Sequence, residues 1–184
     1  SYVDGVVPEA QRDVYEKALR SLRTAAPTSS PEAIRHAVEE DLGAPIDRLF
    51  AEWESEPFAS ASIGQVHRAT LEDGRRVAVK VQHPGIAKAV ESDLANAGVL
   101  QTMASAFVPK NVNPKDMFAE IKERFREELD YRLEADRQSF FRDLHAADPH
   151  IRIPEVVSDR SSVRVLTTVL AKGKTLEEAA EADE

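Results

Sequence analysis

Between Glu56 and Arg68 the chain reads Glu-Pro-Phe-Ala-Ser-Ala-Ser-Ile-Gly-Gln-Val-His-Arg, and Val77-Ala78-Val79-Lys80-Val81 follows after a short turn. Holding the phosphates of a nucleotide on a β-sheet needs three local parts. A loop of very small residues lets backbone N–H groups approach phosphate. A small side chain on the neighbouring strand lets an adenine ring lie flat. A lysine two residues further on, pointing the same way, meets the phosphates. Ala59 to Gly64, Ala78 and Lys80 supply these parts in that order. Val-Ala-Val-Lys alone is a weak signal, and the competing reading is a surface lysine snorkelling from an edge strand.

A lysine drawn out of water needs a carboxylate, because an unpaired buried charge is costly. The candidate stretch is Glu127-Glu128-Leu129-Asp130-Tyr131, in a region that reads as one long helix from Lys115 to Leu144. Its apolar stripe is Phe118, Ile121, Phe125, Leu129 and Leu133. At about 100° per residue, Glu128 lies roughly 80° from the centre of that stripe, and Glu127 lies nearly opposite it. Glu128 is therefore expected to turn toward Lys80 and Glu127 to face solvent. Asp130 is ~200° around from Glu128 if the helix is continuous, and it shares a side with Glu134 at i,i+4. The alternative is a solvated charged face partnered by Arg124, Arg126 and Arg132.

The elements that must position these groups follow from periodicity. Pro8, Val14, Ala18, Leu19 and Leu22 suggest a first helix. Ser30 reads as an N-cap with Pro31 at the first helical position, Ile34, Ala37, Val38 and Leu42 as a stripe, and Gly43 as the stop. A short segment from Ile46 to Trp53 brings Leu49, Phe50 and Trp53 to one side. Then the period becomes two. Gln65–Leu71 and Arg75–Gln82 flank Glu72-Asp73-Gly74, a hairpin signal, with Val77, Val79 and Val81 on one face and Ala78, Lys80 and Gln82 on the other. Pro84-Gly85 precedes a long helix to about Phe107, with Asp93 on its flank. Ile151–Val157 and Val163–Leu170 are β-rich runs joined by a polar turn. The pattern is α+β, with an antiparallel sheet of four or five strands, an N-terminal helical extension and two long inserted helices. The expected divisions are 1–54 for the extension, 55–172 for the sheet with its helix pair at 84–144, and 173–184 for a linker and acidic tail.

Composition narrows the functional classes. The 184 residues carry a net charge of −9, and five acids without a base fall in the last eight positions. A dominating basic patch is missing, which argues against nucleic-acid binding. With no cysteine, disulfides, thiolate metal sites and cysteine nucleophiles are excluded, and a reducing, cytoplasmic setting is expected. No run approaches the apolar length of a membrane helix. His145-Ala-Ala-Asp148-Pro-His150 looks catalytic but reads better as a loop between helix and strand, and the histidines His67 and His83 form no metal set. No metal site is assigned within these residues.

Taken together, Phe58–Ala69, Val77–Gly85, Asp93 and Glu128-Leu-Asp-Tyr-Arg-Leu-Glu-Ala135 resemble the UbiB/AarF family of atypical kinase-like proteins, over about 6–175. The resemblance implies a protein-kinase-like small lobe with an alanine-rich loop at Ala59, Ser60, Ala61 and Ser62. It implies nucleotide contacts from these residues and from Ile63, Gly64, Val66, Ala78 and Lys80. Lys80 and Glu128 are its catalytic pair. Glu128, Asp130 and Glu134 form its acidic motif, with Asp130 and Glu134 organising the helical extension against the lobe. Val163–Leu170 resembles the strand leading to an interlobe hinge. Two features of the family have no counterpart among these residues: its lysine-and-glutamine motif, which would precede the first helix, and its large lobe, with the catalytic-loop and metal-binding aspartates, which would follow Gly173.

The function the resemblance implies is that of the nucleotide-binding small lobe of an ATPase or phosphotransferase, using ATP with Mg2+, in quinone or isoprenoid-lipid metabolism near membranes. ATP or ADP, the large lobe, and an isoprenoid lipid or membrane surface are the expected partners, and these residues alone are expected to be catalytically incomplete. The competing reading is a non-catalytic module that holds a lipid or a protein on the same scaffold. Alanine methyl groups restrict the close approach that glycine permits, which keeps that reading open.

Overall fold

The computed structural model describes residues 29–61, 63–92, 123 and 126–173. The expected first helix, Ser62, Asp93, most of the first inserted helix, part of the second and the acidic tail lie outside these residues.

Helix α1 spans Pro31–Leu42 and begins as its sequence dictates. Ser30 caps it by accepting a hydrogen bond from the Ala33 amide, and Gly43 ends it at φ 72°, a conformation glycine adopts without a Cβ penalty. A single-turn helix, α2 (Ile46–Leu49), follows. It is shorter than the expected segment, since Glu52–Trp53 already forms strand β1. The remaining strands are β2 (Ala59–Ser60), β3 (Gly64–Thr70), β4 (Arg76–Gln82) and β5 (Val165–Val169). They form one antiparallel five-stranded sheet in the order β1-β3-β4-β5, with β2 also paired to β3. Helix α3 (Tyr131–Leu144) lies between β4 and β5 in sequence.

Alternation in β4 sorts the two faces of the sheet. Val77, Val79 and Val81 are fully buried and join Ile34, Val38, Ile46, Leu49, Phe50 and Val165 in the core. Burying a side chain of this size contributes roughly 1.5–3 kcal/mol. Gln65, His67 and Thr167 are also fully buried. His67 stacks on Trp53 at 4.8 Å. Its Nδ1 lies 2.9 Å from the Glu54 carbonyl and must carry the proton, leaving Nε2 to accept from Gln65. The Gln65 side-chain Oε1 in turn accepts from the Ser29 amide. Burial holds the His67 imidazole below its ordinary pKa, so it is a neutral packing residue.

Two expectations are revised. The run Ile151–Val157 is not a full strand: it touches β5 through a bridge from Val156 to Thr168, flanked by Val157 N–H to Thr167 and Val169 N–H to Glu155. Pro154 has no N–H to extend the ladder. The helix expected across 115–144 is interrupted at Leu129–Asp130, where Asp130 turns extended and caps α3. The short side chain that makes aspartate a poor helix-interior residue makes it a good N-cap. The His145–His150 stretch is a turn after α3, as expected of a connecting loop.

Asp41 ties α1 to the entry of β5. It accepts from the Ser162 hydroxyl and from Arg164, through the backbone amide at 3.1 Å and Nε at 2.7 Å. Burial pushes its carboxyl pKa up, but the Ser162 and Arg164 hydrogen bonds outweigh this and hold it below the usual range. A depressed carboxylate stabilises the fold above its unfolded pKa, and that contribution fades as pH falls through the folded value. Asp41→Ala is therefore expected to cost about 2 kcal/mol at neutral pH. In urea titrations the gap to the parent should narrow below pH ~4; a gap independent of pH contradicts the assignment.

Candidate functional site

The open face of the sheet carries the candidate site. Ala78, Lys80 and Gln82 point to it from β4, opposite Arg68, Val66 and Gly64 of β3. On the other side Thr168 and Leu166 of β5 stand opposite Ala78 and Lys80. Lys80 therefore rises between Val66 and Leu166, and its side chain is 26% exposed. Its Nζ lies 2.7 and 3.0 Å from the two carboxylate oxygens of Glu134, and 4.5 Å from the centroid of the Tyr131 ring.

The partner of Lys80 is thus Glu134, not Glu128, and the cause is the break in the helix. Asp130 accepts from the Arg132 amide and starts a new helix in which Glu134 occupies the first turn. The Tyr131 amide leaves the helical ladder to donate to the Val163 carbonyl at 2.9 Å. Gln82 completes the junction, its side-chain amide donating to the carbonyls of Leu129 at 2.8 Å and Val163 at 3.3 Å. Across such a break, angles counted along one continuous helix lose their meaning. The expected orientations come out reversed: Glu127 is half-buried and pairs with Arg137 at 2.9 Å, whereas Glu128 is exposed and makes no ion pair among the described residues. Among the described residues Asp130 caps α3 and binds Arg132. Its hydrogen bonds from Arg132 hold its carboxyl below the ordinary range. Among the described residues Glu134 binds Lys80.

The small-residue loop is a tight connection between β2 and β3. Ala59 pairs with Val66 and Ser60 with Gln65, and the Ala61 amide donates to the Gly64 carbonyl at 2.7 Å. Ile63 fixes its far end by accepting from the His83 amide. Ser62 is not among the described residues. Gly64 is required by space rather than by dihedral angle. A Cβ there would meet the Val81 carbonyl oxygen at 2.4 Å and the Tyr131 hydroxyl at 2.9 Å.

Three residues of the site escaped sequence reasoning: Tyr131, Gln82 and Leu166. The alternation of β4 places Gln82 on the Lys80 face, but nothing local shows that it would bridge two distant carbonyls. Asp130 was the available signal for Tyr131 and Glu134, since an aspartate inside an apparent helix is a candidate N-cap.

Among the described residues no group of three or more His, Asp or Glu side chains converges to hold a metal. What the site offers is an ammonium steered by a carboxylate and a ring, a strand surface kept low by Ala78, and a loop of small residues at the Gly64 end of β3. That set suits a phosphate chain joined to a flat aromatic group.

Residues 21–184 match the ABC1 atypical kinase-like domain. The chain is 35% identical over 180 residues to the mitochondrial atypical kinase coq-8 of Caenorhabditis elegans, covering 95% of this chain and 22% of that protein. It is 37% identical over 163 residues to the probable protein kinase UbiB of Marinobacter nauticus, covering 85% of this chain and 29% of the relative. In structure it resembles Rv3197 of Mycobacterium tuberculosis, solved as a complex with erythromycin, with a TM-score of 0.74 and 31% identity over 99% of this chain and 45% of that one. The chain thus spans between about a fifth and a half of the length of these proteins.

Gly64→Ala is expected to destabilise the fold by about 1–3 kcal/mol through overpacking against Val81 and Tyr131. A thermal melt checks this, and an unchanged melting temperature contradicts the close approach.

Proposed function

Because the chain belongs to the ABC1 atypical kinase-like family, we propose that it forms the nucleotide-binding small lobe of an ATP-dependent phosphotransferase or ATPase. The observation that carries this reading is the Lys80–Glu134 pair on the open sheet face, at 2.7 Å, with the Ala59–Gly64 hairpin beside it. In this arrangement Lys80 contacts the phosphates and Glu134 holds its ammonium in place. Ala78 leaves room for the adenine, and the hairpin covers the phosphate chain with backbone N–H groups. Preorganised positive charge of this kind stabilises charge developing on a transferring phosphoryl group. Magnesium, which neutralises phosphate charge in such reactions, is assigned in this proposal to the large lobe. Glu128 takes no part in steering Lys80.

The large lobe is the proposed partner of the end of α3. Phe140 is 64% and Leu144 62% exposed there. Arg142 reaches Glu155, whose carbonyl accepts from Val169 at the exit of β5. The apolar patch and the outgoing chain therefore share one end of the domain. The quinone or isoprenoid-lipid context remains part of the proposal, as does a membrane surface. Among the described residues no helix is long and apolar enough to cross a membrane.

The test is nucleotide-dependent thermal stabilisation of the full-length protein with Mg-ATP or ADP. Lys80→Met should abolish the shift. Glu134→Gln should weaken nucleotide affinity about tenfold, roughly the worth of one charge-assisted contact. Glu128→Gln should change it less than twofold. Stabilisation by an isoprenoid lipid or quinone with no response to nucleotide would overturn this reading in favour of a non-catalytic binding module.

A further inference from the structure

We propose that Tyr131 is a positioning residue that sets where the Lys80 ammonium sits on the open sheet face, acting through its ring and not through its hydroxyl; this rests on the nucleotide reading of the site. Four observations converge on it. The Lys80 Nζ lies 4.5 Å from the Tyr131 ring centroid, within the distance at which an aromatic face attracts a cation. Glu134 follows Tyr131 by three residues on α3, so ring and carboxylate lie on neighbouring ridges of one helix and approach the same ammonium together. Tyr131 is also the first residue of that helix, locked by the Asp130 cap and by its own amide bond to Val163. A residue so fixed in its backbone makes a rigid wall. At its far end the hydroxyl sits where a Gly64 side chain would otherwise go. The ring therefore spans from the ammonium to the base of the loop.

The hydroxyl itself is idle. Tyr131 is 1% exposed, yet its oxygen is buried without a hydrogen-bond partner. Burial pushes the phenol pKa well up, with the Glu134 and Glu128 carboxylates adding to it, so the group stays neutral and contributes no charge. A buried hydroxyl lacking a partner opposes folding, and it gives no reason for the residue to stand there. What remains is the ring: a flat, electron-rich surface that keeps Lys80 from folding down onto the sheet and leaves Glu134 as its single carboxylate partner among the described residues. An ordinary core aromatic would touch aliphatic neighbours only. This one faces an ammonium.

Two measurements on the full-length protein test the inference. By NMR on lysine-labelled protein without nucleotide, the Lys80 Hε signal, identified by its loss in Lys80→Met, should show an upfield ring-current shift. The shift should persist in Tyr131→Phe and vanish in Tyr131→Met. By calorimetry with Mg-ATP, Tyr131→Phe should bind within twofold of the parent and melt no lower. Tyr131→Met should bind about fivefold more weakly, the scale of one partly desolvated cation–π contact. An unshifted Lys80 signal in the parent overturns the proposal whether or not any variant folds. Equal losses of affinity in Tyr131→Phe and Tyr131→Met also overturn it, because the hydroxyl would then be the working group. A parent that shows the shifted signal but binds no nucleotide leaves the positioning intact and refutes the nucleotide reading instead.

Discussion

Two carbonyls and the Tyr131 amide, gathered where a helix stops, decide where Lys80 points on this sheet face. Gln82 reaches from the end of β4 to the carbonyls of Leu129 and Val163, and Val163 also accepts the Tyr131 amide. These bonds satisfy backbone groups that an interrupted helix leaves orphaned, and they fix the start of α3 against the strand that carries Lys80. Asp130 supplies the cap that makes a restart possible. Everything at the site follows from that restart: Tyr131 enters at the first helical position, Glu134 arrives one turn later, and the Lys80 ammonium meets both.

The two faces of the sheet divide the work. On one face valines, α1 and α2 make a tightly buried core in which Gln65 and His67 hydrogen-bond to each other, to the Ser29 amide and to the Glu54 carbonyl. On the other face Lys80 stands among Val66, Leu166 and Tyr131, and its pair with Glu134 sits where solvent still reaches it. A pair this exposed contributes little to stability, so its value lies in orientation. The core face supplies the rigidity that such orientation requires, and Asp41 extends it by anchoring α1 to the chain just before β5.

Strand positions were legible because a two-residue period needs only local pattern. Val77, Val79 and Val81 announce a half-buried strand, and Ser30-Pro31 with Gly43 announces both ends of α1. The carboxylate partner was not legible, because it depends on phase. The stripe from Phe118 to Leu133 reads as one helix, and on one helix Glu128 is the natural choice. The break at Asp130 resets the phase and hands the role to Glu134. That break is tertiary in origin: Gln82 and Val163 are distant in sequence from Leu129, and no window of local periodicity contains them. The single local clue was an aspartate in mid-helix. The run before Ser158 failed as a full strand for the opposite reason, since Pro154 was visible but its apolar neighbours outweighed it.

The claim on which the rest depends is that Lys80 is held by Glu134 and not by Glu128. A double-mutant cycle on unfolding free energy measures it without any nucleotide. Lys80→Met and Glu134→Gln should couple by ~0.5–1 kcal/mol, the range for partly exposed ion pairs, while Lys80→Met and Glu128→Gln should be additive. Coupling between Lys80 and Glu128, with none to Glu134, would contradict the account.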